Sequence, residues 1–239
     1  MLHTNVKFWS LGRWYRVGAA MVCMAALAFA MGYAAPAALA DEEMMELDIE
    51  LPDPSYVGSP LNYTSPRLEP MSWRKRDPIE VPVGTENVAL GKEVTSSADS
   101  TRLGSLDQIT DGEKGFDDDY LVELPSGPQW IQIDLEDEHE IYAIVCWHFF
   151  ESERVYFDIV VQVSNDPEFE DGVTTLFNND YSNNLGFGEG EDPEYIETHQ
   201  GRLFETEGVT GRYVRLWSNG NNWDDMNHYI EVEVYGRPA

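Results

Sequence analysis

Six residues near the middle of the chain, WIQIDL at 130–135, alternate strictly: Ile131, Ile133 and Leu135 fall on one side, Gln132 and Asp134 on the other. A two-residue period is that of a strand with one face buried. Pro128 before it and Glu136-Asp137-Glu138 after it predict turns at both ends. Residues 141–150 (IYAIVCWHFF) are apolar at nearly every position, as in a strand covered on both faces. Residues 156–163 (YFDIVVQV) place Phe157, Ile159, Val161 and Val163 inward, with a turn expected at Ser164-Asn165-Asp166-Pro167. Further strands are predicted at 174–177, 212–217 and 229–235, the last closed by Gly236. No stretch carries the period of a long amphipathic helix, and no internal repeat is present. Short strands between turn signals predict an all-β sandwich or barrel over residues 85–239.

The chain before residue 85 has another texture. Lys7, Arg13 and Arg16 precede an uncharged Ala/Met-rich run over residues 17–40, which ends Ala38-Leu39-Ala40 ahead of Asp41-Glu42-Glu43. A basic start, an apolar centre and small residues at the end predict a secretory signal peptide over residues 1–40, cut after Ala40, and hence a secreted or periplasmic protein. The competing reading is a retained anchor, because about 20 apolar residues can span a bilayer. Cys23 lies mid-run, outside a lipobox context. Residues 41–84 open with acidic DEEMMELDIE and continue with Pro52, Pro54, Pro60, Pro66, Pro70, Pro78 and Pro82. That proline density predicts an extended acidic linker. Within it, Trp73-Arg74-Lys75-Arg76 is the chain's one basic cluster, read as solvated charge.

Charge narrows the partners. The 239 residues carry 44 acidic against 15 basic side chains, a net charge of −29, and the expected cut removes three basic residues and no acidic one. Such a field excludes nucleic acid and anionic membrane surfaces and favours cations. Outside the expected signal peptide Cys146 is the one cysteine, so no intrachain disulfide is expected, and its apolar strand makes it a buried small hydrophobe. Catalytic signatures are missing. Gly186-Phe187-Gly188-Glu189-Gly190 looks like a dinucleotide fingerprint, but no helix follows it. His148, His199 and His228 show no metal-ligand spacing, and among 44 carboxylates chance pairs are inevitable. A non-enzyme is expected; a hydrolase working through a carboxylate pair is the weaker alternative.

Several motifs occur together in a fixed order: NVALGKEVTSS (87–97), ITDGE (109–113), WIQIDL, VQVSNDPEF (161–169), GRYVRLW (211–217) and EVEVYG (231–236). The set resembles the coagulation-factor C-type family (F5/8 type C, or discoidin), over residues 86–236. The resemblance implies a galactose-binding-like, jelly-roll β-sandwich with ligand-carrying loops at one end. It also implies a structural calcium ion, with side-chain ligands at Asp111 and Glu231 and carbonyl oxygens from Gln108, Glu113, Phe116 and Ile230. Calcium takes six to eight oxygens in a flexible shell, which suits an Asp-Gly loop. Phe116 stands where the family usually has a hydroxyl residue, with Asp117, Asp118 and Asp119 following.

Sugar-binding relatives use loop His, Arg and Asn residues for hydroxyl groups and an aromatic ring to stack on the pyranose. Chosen by chemistry and loop position, the candidates here are Trp147, His148, Arg154, Asn178, Asn179, Tyr181, Asn183, Asn222, Trp223 and His228. Trp147 shares a face with Ile141, Ala143 and Val145, which makes the core its competing place, and Trp223 sits in the polar loop at 219–225. The expectation is a secreted, non-catalytic module that binds a glycan or polysaccharide on a calcium-braced sandwich. The alternative is a structural domain whose partner is a cell-envelope protein.

Overall fold

The computed structural model describes residues 43–239 apart from 56, 57 and 73; the expected signal peptide and its cleavage point lie outside the described residues. In chain order the strands are β1 (Met44–Glu46), β2 (Glu80–Pro82), β3 (Glu86–Asn87), β4 (Val94–Ser96), β5 (Val122–Leu124), β6 (Gln129–Trp147) and β7 (Val155–Tyr156). They continue as β8 (Val160–Ser164), β9 (Thr174–Asn178), β10 (Tyr195–Ile196), β11 (Arg202–Ser218), β12 (Asn227–Tyr229) and β13 (Glu231–Pro238). A single 3₁₀ turn, Leu106–Thr110, is the one helical element among the described residues. The ladders between these strands are all antiparallel. The protein is all-β.

Two long strands make the sandwich. WIQIDL and the apolar run after it, expected as separate strands, are the two halves of β6. The charged stretch between them is a bulge. Glu136 takes a left-handed φ of 70°, its N–H held by Asp134 Oδ1 at 2.8 Å, and the pairing with β11 jumps from Asp134↔Tyr213 to His139↔Gly211. A bulge bends its strand, so the halves serve different layers. The first half pairs with β4 and with the end of β11, which continues to β8 and β9. The second pairs with the start of β11 and with β13, which continues to β3. Ile131, Ile133 and Leu135 from one layer meet Ile144, Cys146, Val232 and Val234 from the other in a common core.

The expected strand at 156–163 is broken. Asp158 adopts φ 55°, which ends β7 before β8 begins and turns Phe157 out of the core to stack on Tyr63 at 5.4 Å. Ile159, Val161 and Val163 point inward as predicted. Cys146 is a buried free thiol.

The linker expectation for residues 41–84 is corrected. One compact unit runs Glu42–Ala239, and residues 44–51 and 79–82 roof the outer face of the second layer. β1 and β2 pair, and Leu47 and Val81 are buried against Ala143, Val145, Trp147, Ile230 and Tyr235, with Ile49 and Leu51 packed beside them. Leu47, Ile49 and Leu51 alternate with Asp48 and Glu50, a strand-like period that the acidic composition masks. This roof explains why residues 141–147 are apolar on both faces.

Candidate functional site

The expected ligand residues separate into three groups. Trp147 and His148 are fully buried and are corrected to core residues. Trp147 donates its indole N–H to the His199 carbonyl at 2.9 Å. The His148 ring stacks on Tyr156 at 4.3 Å. Its Nδ1 and its backbone N–H both lie 3.1 Å from Glu197 Oε2, and Cys146 Sγ is 3.6 Å away. A cysteine, a histidine and a carboxylate in a row could make a nucleophile if the thiol ionised. Here burial, with the charges of Glu197 and Glu231, pushes the Cys146 thiol well above its usual range, and no face of the row meets solvent. It is a structural cluster.

The second group comes together where the loop between β11 and β12 meets the start of β7. Asn221 Oδ1 accepts the Trp223 N–H at 2.9 Å, a side-chain-made turn of the kind Asn favours. Gly220, at φ 78°, lies where a Cβ would come 3.1 Å from Asp224 O. The loop therefore projects Trp223, whose residue is 53% exposed and whose Nε1 donates to the Glu153 carbonyl at 3.3 Å. Arg154 Nη1 donates to Asn221 Oδ1 at 3.1 Å and Asp224 Oδ2 at 3.0 Å; its guanidinium lies over Phe149 and its Nε has no partner. His228 Nε2 sits 3.2 Å from Glu123 Oε2, while Nδ1 faces Asn221 Nδ2 at 3.4 Å and Arg154 Nη1 at 3.5 Å. Two N–H donors at Nδ1 select the tautomer that donates from Nε2 to Glu123. Burial lowers the pKa of His228, with Asp224 opposing and Arg154 adding to the fall, so the ring is neutral. Burial works against the Asp224 anion, but the Arg154 hydrogen bond and charge and the Met226 N–H hold its pKa below the ordinary value. Asn222 accepts the Val155 N–H at 2.6 Å and donates to Asn62 Oδ1 at 2.8 Å.

Beyond Asn62 opens a hollow of about 440 Å³ walled by Tyr63, Arg67, Phe157, Asp158, Tyr181 and Glu194, among others. Tyr181 is 43% exposed, and the Arg67 guanidinium lies 2.9 Å over its ring. Glu194 is buried, with one carboxylate oxygen unpartnered. The expected ligands Asn178, Asn179 and Asn183 instead shape the loops. Asn179 bonds Ile159 N, Tyr156 O and Pro193 O; Asn178 Oδ1 accepts the Asp180 N–H, and Asn183 Oδ1 the Gly188 N–H. Glu123, Asn221 and Asp224 were missed, although the last two stand in the same polar loop as Trp223. Tyr63 and Arg67 were missed because their segment was read as linker.

At the expected metal position, Glu231 is fully buried; its Oε1 accepts the Gly112 N–H at 3.2 Å and its Oε2 has no partner. Burial, then Glu233, then Asp111 push its pKa up to about 9. A carboxylate orphaned beside another carboxylate fits a cation. Lys114, bonded to Glu233 at 2.5 Å, is the cation next to it. Among the described residues no three His, Cys, Asp or Glu side chains converge, so backbone carbonyls would complete any shell. The Gln108 side chain is spent on Ser105 N and Asp119 O, and the Phe116 side chain is exposed.

No family model matches the chain, and no curated protein matches it. Among solved structures it is similar to chitosan-binding module 1 of a chitosanase/glucanase from Paenibacillus sp. IK-5, at 21% identity over 63% of this chain and 99% of that one, with a TM-score of 0.45. A fucose-binding module of Streptococcus pneumoniae is similar at 18% identity, covering 63% of this chain and 97% of that one, with a TM-score of 0.44. A CBM32 module produced by Clostridium perfringens, in complex with GlcNAc-α-1,4-galactose, is similar at 17% identity, covering 65% and 96%, with a TM-score of 0.46.

Proposed function

We propose that the chain is an exported, non-catalytic carbohydrate-binding module of the discoidin-like kind, which holds glycan at the loop end around Trp223. The observation that carries this reading is the exposed Trp223 ring, fixed by its loop beside the Arg154–Asp224 ion pair and the His228–Glu123 pair. An aromatic face stacks on the apolar face of a pyranose, and the Arg154–Asp224 ion pair at its edge orients the hydroxyls, with the buried His228 bracing the loop from beneath. The hollow past Asn62 offers room for a second ring of the same chain.

The reading includes a calcium ion held by Asp111 and Glu231, with carbonyl oxygens of Gln108, Glu113, Phe116 and Ile230. When bound, the ion supplies charge neutralisation and ties the early loop to the last strand; it takes no part in chemistry. The test is affinity electrophoresis of residues 41–239 on a broad panel of neutral and acidic polysaccharides, with and without EDTA. Retardation on one class, weakened about tenfold or more in Trp223→Ala, a change of roughly 1.4 kcal/mol or more, supports the reading. No retardation on any member returns the module to the envelope-protein alternative.

A further inference from the structure

The run Arg74-Lys75-Arg76, expected as solvated charge, borders a crevice of about 460 Å³ between residues 69–72 and 74–77 on one side and the chain entering β11 on the other. We propose that this crevice is an oxyanion site, which takes a carboxylate, sulfate or phosphate group against Arg74, Lys75, Arg76 and Arg202.

The argument begins with partners. Three of the 12 basic side chains that follow residue 40, Arg74, Lys75 and Arg76, lie together here without an ion-pair partner among the described residues. Arg74 and Lys75 are exposed and have no ion-pair partner among the described residues. Arg76 donates to the carbonyls of Gln200 and of Gly201, the latter at 2.8 Å, and its Nη1 is buried with no partner. Arg202 reaches Glu69 at 2.7 Å through Nη1, yet its Nε is likewise buried and unpartnered. Three carboxylates, Glu69, Asp77 and Glu197, share the wall with the four cations, which leaves one cation in excess. Burial lowers the Arg76 pKa and Arg202 lowers it further, against the pull of Glu197. Arg76 and Arg202 are half-buried, each with an unpartnered N–H, and the exposed Arg74 and Lys75 stand beside them.

An oxyanion corrects that imbalance. Planar guanidinium groups match carboxylate, sulfate and phosphate oxygens through paired N–H donors. The −29 of the whole chain repels anions, but screening over about 8 Å at physiological salt lets the local cations dominate inside the crevice. The same surplus of acid makes this crevice the place where an anion is tolerated.

The site does not depend on the glycan reading, and its test separates the two. Equilibrium dialysis of the full chain with radiolabelled inorganic sulfate and phosphate is expected to show saturable binding of one ion per chain that weakens with added chloride. In Arg74→Gln/Lys75→Gln, whose side chains hold no part of the fold, affinity is expected to fall about tenfold or more; Trp223→Ala is expected to leave it unchanged. Arg76→Gln, checked by its melting curve, is the second variant. Competition by a uronate or sulfated oligosaccharide at lower concentration than the inorganic ion identifies a saccharide as the source of the oxyanion. Equal competition identifies the free anion. Absence of saturable binding, or binding unaltered in both variants, overturns the proposal.

Discussion

Glu197, 1% exposed, accepts hydrogen bonds from the N–H groups of His148 and Thr198 and faces the His148 ring. Its truncation to Ala would strand those donors in a sealed core, which typically costs about 2–4 kcal/mol. Urea unfolding of Glu197→Ala should show a loss of that size, with Glu197→Gln losing less because it keeps an acceptor. Asp158 poses a different residue-scale problem. It is 6% exposed, next to the fully buried Asp180, and receives the amide groups of Asn184 at 2.6 Å and Asn219 at 3.0 Å. Burial and the neighbouring Asp180 raise its pKa above 3.8, with the two amides opposing. A raised folded pKa means that the unfolded chain gives up its proton first as pH rises. The stabilising contribution is therefore complete below pH 3.8 and is lost as pH climbs through the folded value. Asp158→Asn should remove this part of the decline, seen as a melting temperature less dependent on pH between 4 and 7 or so; an unchanged profile would exclude the carboxyl pair as its source. The sequence shows the two aspartates, but they stand 22 positions apart and only loop closure brings them together.

At the scale of elements, β6 and the roof carry the fold. The alternation of WIQIDL and the apolar run after it was legible, because burying one face or both leaves a direct imprint on the sequence. That the two runs form one bent strand was not, since a charged bulge looks like a turn until the pairing of β11 across it is seen. The roof was hidden by its prolines, although Leu47, Ile49 and Leu51 keep the strand period. Leu47→Ala should cost about 2–4 kcal/mol, as for other buried leucines, measured by chemical denaturation. Removing residues 41–84 uncovers Ala143, Val145, Trp147 and Ile230 together. The shortened chain should bind a hydrophobic dye and self-associate in sedimentation, whereas residues 41–239 should do neither. The same loss would take away Asn62, Tyr63 and Arg67, so glycan binding is best tested with the roof in place.

For the whole molecule, the excess of acid governs stability as well as partners. Self-repulsion opposes compaction, and a bound divalent cation between Asp111 and Glu231 would offset part of it by mass action on the folded state. Calcium should raise the melting temperature and EDTA reverse the gain, with Glu231→Gln insensitive to both; identical melting curves with and without chelator would remove the ion from the proposal. What the sequence by itself determined is the all-β class, the inward face of most strands and the buried state of Cys146, because side-chain period and burial are local properties of a strand. Only the tertiary structure decided which polar and aromatic residues reach solvent. Trp147 and Trp223 are equivalent in composition, but one lies beneath a roof contributed from a hundred residues upstream and the other on a loop that no segment covers. Exposure depends on what packs across a surface from elsewhere in the chain, and no local pattern records that.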